Sequence, residues 1–234
     1  MTLEILAIIP ARGGSKGIPQ KNIQPLAGKP LVAHSILQAR QTPSITRVVV
    51  STDDAAIAGV AQAYGAGIVW RPPDLSGDAA SSESALIHTL AHFQQTEDYQ
   101  PDILVFLQCT SPLTLAEDIE GTIQALLENQ ADSALSVTSF HYFLWGYGPD
   151  REVIAINHDK YVRPRWQERD PQYVETGAVY AMRTPGFIQA RHRFFGKIAM
   201  YPMPIERRLE IDDPVDLVIA EVMMKQHLKI QIGN

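Results

Sequence analysis

The sequence is poor in cysteine: Cys109 stands alone among 234 residues. A single thiol excludes an internal disulfide and any CxxC redox or metal spacing, and it fits a reducing compartment. Positive charge is also scarce, since 20 Lys and Arg against 26 Asp and Glu leave a net charge of −6. That balance argues against a general nucleic-acid binder, which needs a basic face. A small polyanion needs only a local cluster of cations and stays possible. Long hydrophobic runs are missing. The apolar stretch 3–10 is too short for a signal core or a membrane span, and no basic region precedes it. The expectation is a cytoplasmic protein with no membrane partner. The 7 histidines have no HExxH or other paired spacing, so none reads as a zinc ligand. No Ser-His-Asp set can be assigned, and repeats and low-complexity tracts are absent.

What remains is an ordinary globular composition, 45% hydrophobic and 20% charged, in a length that suits one α/β domain over 1–234. Short apolar runs at 3–9, 47–51, 67–70 and 102–107 read as buried strands. Amphipathic stretches at 30–40, 53–64, 81–95 and 115–129 read as helices. This alternation implies a mostly parallel central sheet with helices on both faces. Ligands of such sheets bind at the carboxyl ends of strands, where strand order reverses. Residues 140–172 break the pattern with Phe140, Tyr142, Trp145, Tyr147, Tyr161 and Trp166 among Gly and Pro. They read as an extended arm or hairpin inserted into the sheet order, and an exposed aromatic arm predicts a homodimer. The sheet is expected to resume near 177–182 and 197–203, with a closing helix over 214–225.

The densest chemistry follows the first strand, in Arg12-Gly13-Gly14-Ser15-Lys16-Gly17-Ile18-Pro19-Gln20-Lys21-Asn22. Glycines let backbone N–H groups approach a ligand closely. Arg12 offers a guanidinium fork, while Lys16 and Lys21 add point charges. The residues suit a polyphosphate, although the loop is neither a P-loop nor a GxGxxG turn. A plain Gly-Ser-Lys surface loop is the alternative.

Three later segments carry polar residues after a strand or before a helix. Residues 71–82 run from Arg71 to Ser82, and Ser81 or Ser82 suits a helix N-cap. Free N–H groups at that helix start could equally meet an anion or a base edge. Gln108 ends a strand and leads Cys109-Thr110-Ser111-Pro112-Leu113-Thr114, which is a turn or a sugar-contacting element. In Glu210-Ile211-Asp212-Asp213-Pro214-Val215-Asp216, alternation on a strand puts Glu210 and Asp212 on one face. Two carboxylates suit Mg²⁺, whereas Asp213 ahead of Pro214 suits a cap. On spacing alone the cap is the preferred reading.

The string IIPARGGSKGIPQKN followed by LAGKPL resembles the signature of sugar-activating cytidylyltransferases, nearest to the acylneuraminate (CMP-sialic acid synthetase-like) group. The resemblance runs in order through the chain and implies a Rossmann-like nucleotidyltransferase fold. It implies that Arg12, Gly13, Ser15, Lys16 and Lys21 hold the triphosphate of CTP, with Asn22 beside the nucleotide sugar. It assigns Arg71 and Ser82 to the cytosine, and Gln108 to the acceptor through the family's Q-x-T-S-P-L-R. Thr114 replaces the arginine of that motif. The family's S-I-D-I-D aligns with 208–212, which reverses the preference there and makes Glu210 and Asp212 the Mg²⁺ ligands, with glutamate in place of the first aspartate. Arg165, or Arg169 by a short slip, is implied to hold the carboxylate of a 2-keto sugar acid. Thr176 replaces an asparagine of the family's N-G-A-[IV]-Y. Tyr180, Phe194 and Phe195 would wall an acyl or methyl group, or be ordinary core.

The implied reaction is transfer of CMP from CTP to the anomeric hydroxyl of a nonulosonic acid with release of pyrophosphate, with Arg12, Lys16, Lys21 and Asp212 as the catalytic groups and Mg²⁺ as cofactor. Rival readings are another sugar such as 3-deoxy-octulosonate, a guanylyltransferase, or a nucleotide-binding protein without turnover.

Overall fold

Apolar β-branched runs form the central strands because both of their faces are covered. The computed structural model describes residues 3–15, 17–77 and 80–232. In chain order the strands are β1 (Ile5–Pro10), β2 (Pro25–Leu26), β3 (Lys29–Pro30), β4 (Arg47–Thr52), β5 (Gly67–Trp70), β6 (Ile103–Leu107), β7 (Ser133–Phe140), β8 (Trp145–Tyr147), β9 (Val153–Ala155), β10 (Gln172–Arg183) and β11 (Ile198–Pro202). The helices are α1 (Leu31–Gln41), α2 (Ala55–Ala63), α3 (Ser82–Glu97), α4 (Ala116–Glu128), α5 (Thr184–Ala190) and α6 (Pro214–Ile232).

Seven strands make one sheet in the order β11-β7-β10-β6-β1-β4-β5. All neighbours are parallel except β10, which runs antiparallel to both β6 and β7. Side-chain alternation splits the core in two. Ala7, Ile9, Val50, Val105 and Leu107 meet Val32 and Ile36 of α1, Ile57 of α2 and Ile119 and Ile123 of α4. Leu6, Ile8, Val49, Leu104 and Phe106 meet Leu86, Leu90 and Phe93 of α3 and Phe187 of α5. The sheet is therefore mostly parallel with helices on both faces. From β1 the chain builds outward through β4 and β5, then returns to β6 on the other side. That reversal puts a crevice at the carboxyl ends of β1 and β6.

Some elements differ from the sequence expectation. Strand β7 (SALSVTSF) was not expected, because its hydroxyl residues hide a buried strand. Inside, Ser136 Oγ and Thr176 Oγ1 lie 2.6 Å apart and Ser133 Oγ donates to the Phe195 carbonyl at 3.1 Å, so burial leaves them satisfied. Strand β10 starts earlier than 177, and its register with β7 shifts between Glu175 and Tyr180, a bulge beside the crevice. The short helix α5 was also unforeseen, and α6 extends well past 225. The segment 140–172 is not inserted into the strand order. It joins β7 to its neighbour β10, and within it β8 and β9 pair as a separate two-stranded sheet. Tyr147, Val153, Ile156 and Tyr161 on it are exposed. Among the described residues no helix is long and apolar enough to cross a membrane.

Candidate active site

Three loops leave the carboxyl ends of β1, β5 and β6 and enclose a cleft of about 280 Å³. Arg12, Ser15, Lys21 and Asn22 line it from the first loop, Arg71, Ser81 and Ser82 from the second, and Phe106, Gln108, Cys109 and Thr110 from β6 and its turn. A larger cavity of about 450 Å³ lies between α1, the turn 112–115 and α6. Its lining, with Leu37, Leu113, Met223 and Met224, is mainly apolar and includes none of the phosphate-loop residues. Chemistry, rather than size, selects the smaller cleft.

Backbone contacts shape the first loop. Gly13 N–H donates to Asp53 Oδ1 at 2.9 Å, and a side chain on Gly13 would start 2.7 Å from Asp54 Oδ2. A Cβ on Gly17 would stand 2.7 Å from the Asp212 carbonyl oxygen. These two glycines thus let the loop approach the protein itself at both ends, whereas the position of Gly14 is open. Lys16 lies outside the described residues.

Lys21 joins this loop to the acidic segment. Its Nζ donates to the Ile211 carbonyl at 2.8 Å and reaches Asp212 Oδ1 at 3.4 Å. The Asp212 side chain is 73% exposed, so the ion pair itself contributes only about 0–1 kcal/mol. The bond to Ile211 is the stronger anchor, and the Asp212 carboxylate is weakly held. Asn22 is buried; its Nδ2 donates to the Arg12 carbonyl at 2.9 Å, and its Oδ1 accepts from Cys109 Sγ at 2.9 Å. Burial pushes the Cys109 thiol up to about 11, which keeps it a proton donor to Asn22 at neutral pH.

Arg71 is buried against β4, with Nη2 donating to the Ser51 carbonyl at 2.7 Å and Nε to Ser51 Oγ at 3.3 Å. Burial lowers its pKa, opposed by Asp53. Arg12 reaches across the cleft, donating from Nη1 to the Gly77 carbonyl at 2.9 Å. Helix α3 is capped by Ser81, whose Oγ accepts from Ser84 N–H at 3.1 Å, and Ser82 is its first residue.

On the other wall, Gln108 Oε1 and Glu210 Oε2 converge on Gly177, each within 3.3 Å of where a Cβ there would be. Thr110 Oγ1 donates to Glu210 Oε1 at 3.2 Å, and Ile211 N–H donates to the Thr110 carbonyl at 2.8 Å. Burial raises the Glu210 carboxyl above its ordinary range, and the nearby charge of Asp212 adds to this. Residues 208–212 belong to no strand, so the expected strand alternation there is corrected. The register comes instead from the Thr110 carbonyl and from the Asp216 carboxylate, which accepts from Asp212 N–H and Asp213 N–H at 2.9 and 2.8 Å. This reach-back is half a capping box, so capping and a carboxylate edge coexist. Among the described residues no group of three or more His, Cys, Asp and Glu is gathered for a metal. Two adjacent carboxylates still match Mg²⁺, which commonly takes one or two carboxylates plus substrate phosphates, and the raised Glu210 carboxyl is a site where added positive charge is favourable.

The acceptor-side residues are scattered. The Arg165 side chain is exposed on the arm. Arg169 donates to the His141 carbonyl at 2.6 Å and to Gln172 Oε1 at 3.3 Å, and stacks 4.3 Å from the Phe143 ring. Tyr180 is buried and stacks on Phe106 at 5.3 Å, with Phe194 edge-on to it at 6.0 Å. Phe195 packs against Gly186 of α5. Thr176 points into the core at Ser136, and the buried Thr114 hydroxyl has no hydrogen-bond partner. Neither offers what an asparagine or arginine would. Sequence reasoning missed Asp53, the Cys109 thiol on Asn22, the Tyr180 hydroxyl donating to Glu175, and an ion pair of Glu83 with Arg193.

A family model described as Cytidylyltransferase matches residues 6–225. N-acylneuraminate cytidylyltransferase A of Danio rerio is 34% identical over 93% of this chain and 50% of its own length. CMP-N,N'-diacetyllegionaminic acid synthase of Legionella pneumophila is 31% identical over 95% of this chain and 97% of its own. Pseudaminic acid cytidylyltransferase of Campylobacter jejuni is 30% identical over 94% and 96%. The chain thus spans about half the length of the Danio rerio relative and nearly all of the two bacterial ones. A solved structure of CMP:2-keto-3-deoxy-manno-octonic acid synthetase complexed with CTP superposes with a TM-score of 0.70 at 20% identity, over 96% of this chain and 99% of that one. It shares the fold.

Proposed function

The chain belongs to the cytidylyltransferase family, and on that premise we propose that it transfers CMP from CTP to the anomeric hydroxyl of a nonulosonic sugar acid and releases pyrophosphate. The observation that carries this reading is one cleft at the β1/β6 reversal, where Arg12, Ser15 and Lys21 meet Arg71, Ser82 and Gln108, with Glu210 and Asp212 at its edge.

The acceptor hydroxyl oxygen bonds to the α-phosphorus and gives up its proton to water, and the bond from that phosphorus to the bridging oxygen of pyrophosphate breaks. Such transfers depend mainly on positioning and charge neutralisation. Arg12, Lys16 and Lys21 neutralise the triphosphate and Ser15 offers a hydroxyl donor; the N–H of Gly13, expected on the phosphates, is instead taken by Asp53 Oδ1, so Gly13 serves by letting the loop pack closely. Lys21 already rests on Asp212 through a weak contact with an exposed carboxylate, so an entering phosphate can replace Asp212 while the Ile211 carbonyl keeps the cation in place. Arg71, locked on Ser51, and Ser82 at the start of α3 read the cytosine; Asn22 lies beside the sugar of the nucleotide. Gln108 orients the acceptor, Arg165 pairs its carboxylate, and Tyr180, Phe194 and Phe195 back it. Glu210 and Asp212 would hold Mg²⁺, which supplies charge neutralisation at the phosphates. Exposed Tyr147, Val153 and Tyr161 on the arm support a homodimer, and the reading is of a cytoplasmic enzyme.

The test is pyrophosphate release across the four ribonucleoside triphosphates and a panel of nonulosonic and octulosonic acids. Release with CTP and a nonulosonic acid is expected. CTP binding with no release from any pairing would overturn turnover, and a preference for GTP would overturn the base assignment.

A further inference from the structure

Arg193 lies in the loop between α5 and β11, outside every motif that the sequence singles out. Its Nε donates to Glu83 Oε1 at 2.7 Å, and the two side chains are only 19% and 12% exposed. Burial alone would raise Glu83 and lower Arg193. Their mutual hydrogen bond and charge outweigh burial and move both the other way, so the pair is ionised at neutral pH. Glu83 follows Ser82 in the first turn of α3. The guanidinium carbon stands 4.6 Å from the Tyr180 ring centroid and 5.0 Å from that of Phe106, and these two rings stack on each other.

Three consequences follow. Phe106 and Gln108 both line the cleft, Gln108 just past the end of β6. Arg193 is not itself a lining residue; it meets the cleft wall through the Phe106 ring. The rings that would otherwise give an apolar wall have guanidinium over their faces. Arginine carries five N–H donors in a fixed fork; Glu83 takes the Nε donor, the Tyr180 hydroxyl takes another, and the terminal nitrogens carry the rest.

We propose that Arg193 is an acceptor-specificity residue, whose terminal N–H groups bind the carbonyl oxygen of an acylamino substituent on the sugar acid. A hydroxyl at the same ring position is too short to reach it. This rests on the cytidylyl-transfer reading above. It differs from a bare aromatic wall, which would select substituents by apolar area alone.

The experiment compares pyrophosphate release from CTP with two sugar acids that differ only in bearing an acylamino group or a hydroxyl at one carbon. The variants are Arg193→Lys, which keeps the charge opposite Glu83, and the double change Glu83→Gln with Arg193→Met, which strands no buried charge. In the wild type kcat/KM favours the acylamino acid. Both variants reduce that preference at least tenfold, mainly through acceptor KM, while the KM for CTP stays within twofold. A preference unchanged within twofold in an active variant overturns the role of Arg193. Equal losses for both acceptors, or a matching rise in the KM for CTP, also overturn it and leave a structural ion pair. No release by the wild type with any sugar acid overturns the parent reading, and this inference with it.

Discussion

Backbone groups fix the functional side chains on the nucleotide side of the cleft: Lys21 is held by the Ile211 carbonyl, Asn22 by the Arg12 carbonyl, Arg71 by the Ser51 carbonyl, and Arg12 by the Gly77 carbonyl. The side proposed for the acceptor is built from side chains held by other side chains, on β10, the arm and the loop after α5. Arg193 depends on Glu83 and two aromatic rings, Tyr180 on Glu175, and Arg165 is exposed on the arm. A backbone-fixed cradle tolerates little change and suits a constant ligand. A side-chain wall can be altered residue by residue while the sheet stays intact, which suits a variable one. Thr114, Thr176 and Glu210, the departures from the family pattern, fall at positions proposed for the acceptor or the metal rather than in the loop after β1.

The largest effect should come from the cradle. Arg12→Ala and Asp212→Ala should each lower kcat/KM by about 10²–10³-fold, the range for loss of one charge-stabilising group. Thermal melting should hardly move, since Asp212 is mostly exposed. A near-normal rate in either variant would remove that residue from the site. Gly17→Ala comes next. The new Cβ meets the Asp212 carbonyl at 2.7 Å, so the loop must shift, and displacement of reacting groups by about 1 Å costs on the order of 10²-fold. An unchanged KM for CTP and an unchanged kcat in that variant would mean that the loop gives way without consequence.

Acceptor-side changes should be smaller and separable. Arg165→Ala should raise the sugar-acid KM by about tenfold, as for one charge-assisted hydrogen bond, with the KM for CTP constant. Arg169→Ala should instead lower the melting temperature, because Arg169 ties His141 and Gln172 together. The reverse pattern would exchange their roles. The smallest effect concerns pH. Burial pulls the His34 imidazole below its ordinary 6.5, and its ring nitrogen donates to the Leu26 carbonyl at 2.9 Å. The unfolded chain takes up that proton first. The contribution of His34 is therefore complete above about pH 6.5 and is lost as pH falls below that value. Denaturant midpoints of wild type and His34→Gln should converge between pH 7 and pH 5; parallel curves would remove His34 from the pH response.

The same division decides what the sequence could reveal. Strands β1, β4, β5 and β6 are continuous apolar runs, so the fold was legible, and the residues that line one cleft after β1, β5 and β6 stand out as polar segments at strand ends. Strand β7 was not, because Ser133 and Ser136 bury with hydrogen-bonded hydroxyls that a hydropathy pattern cannot register. The pairing of Glu83 with Arg193 spans 110 residues and arises only when α3 and the loop after α5 pack on the same face of the sheet. Cys109 looked inert in isolation, and its hydrogen bond to Asn22 depends on β6 lying next to β1.

The central claim is that the cradle is already formed without the acceptor, and calorimetric titration of the free protein with each of the four ribonucleoside triphosphates in the presence of Mg²⁺ tests it most directly. One CTP should bind per chain, at least about tenfold tighter than the other three, a margin that hydrogen bonds to the base readily supply. Equal binding of all four nucleotides, or CTP binding that appears only after a sugar acid is added, would contradict it.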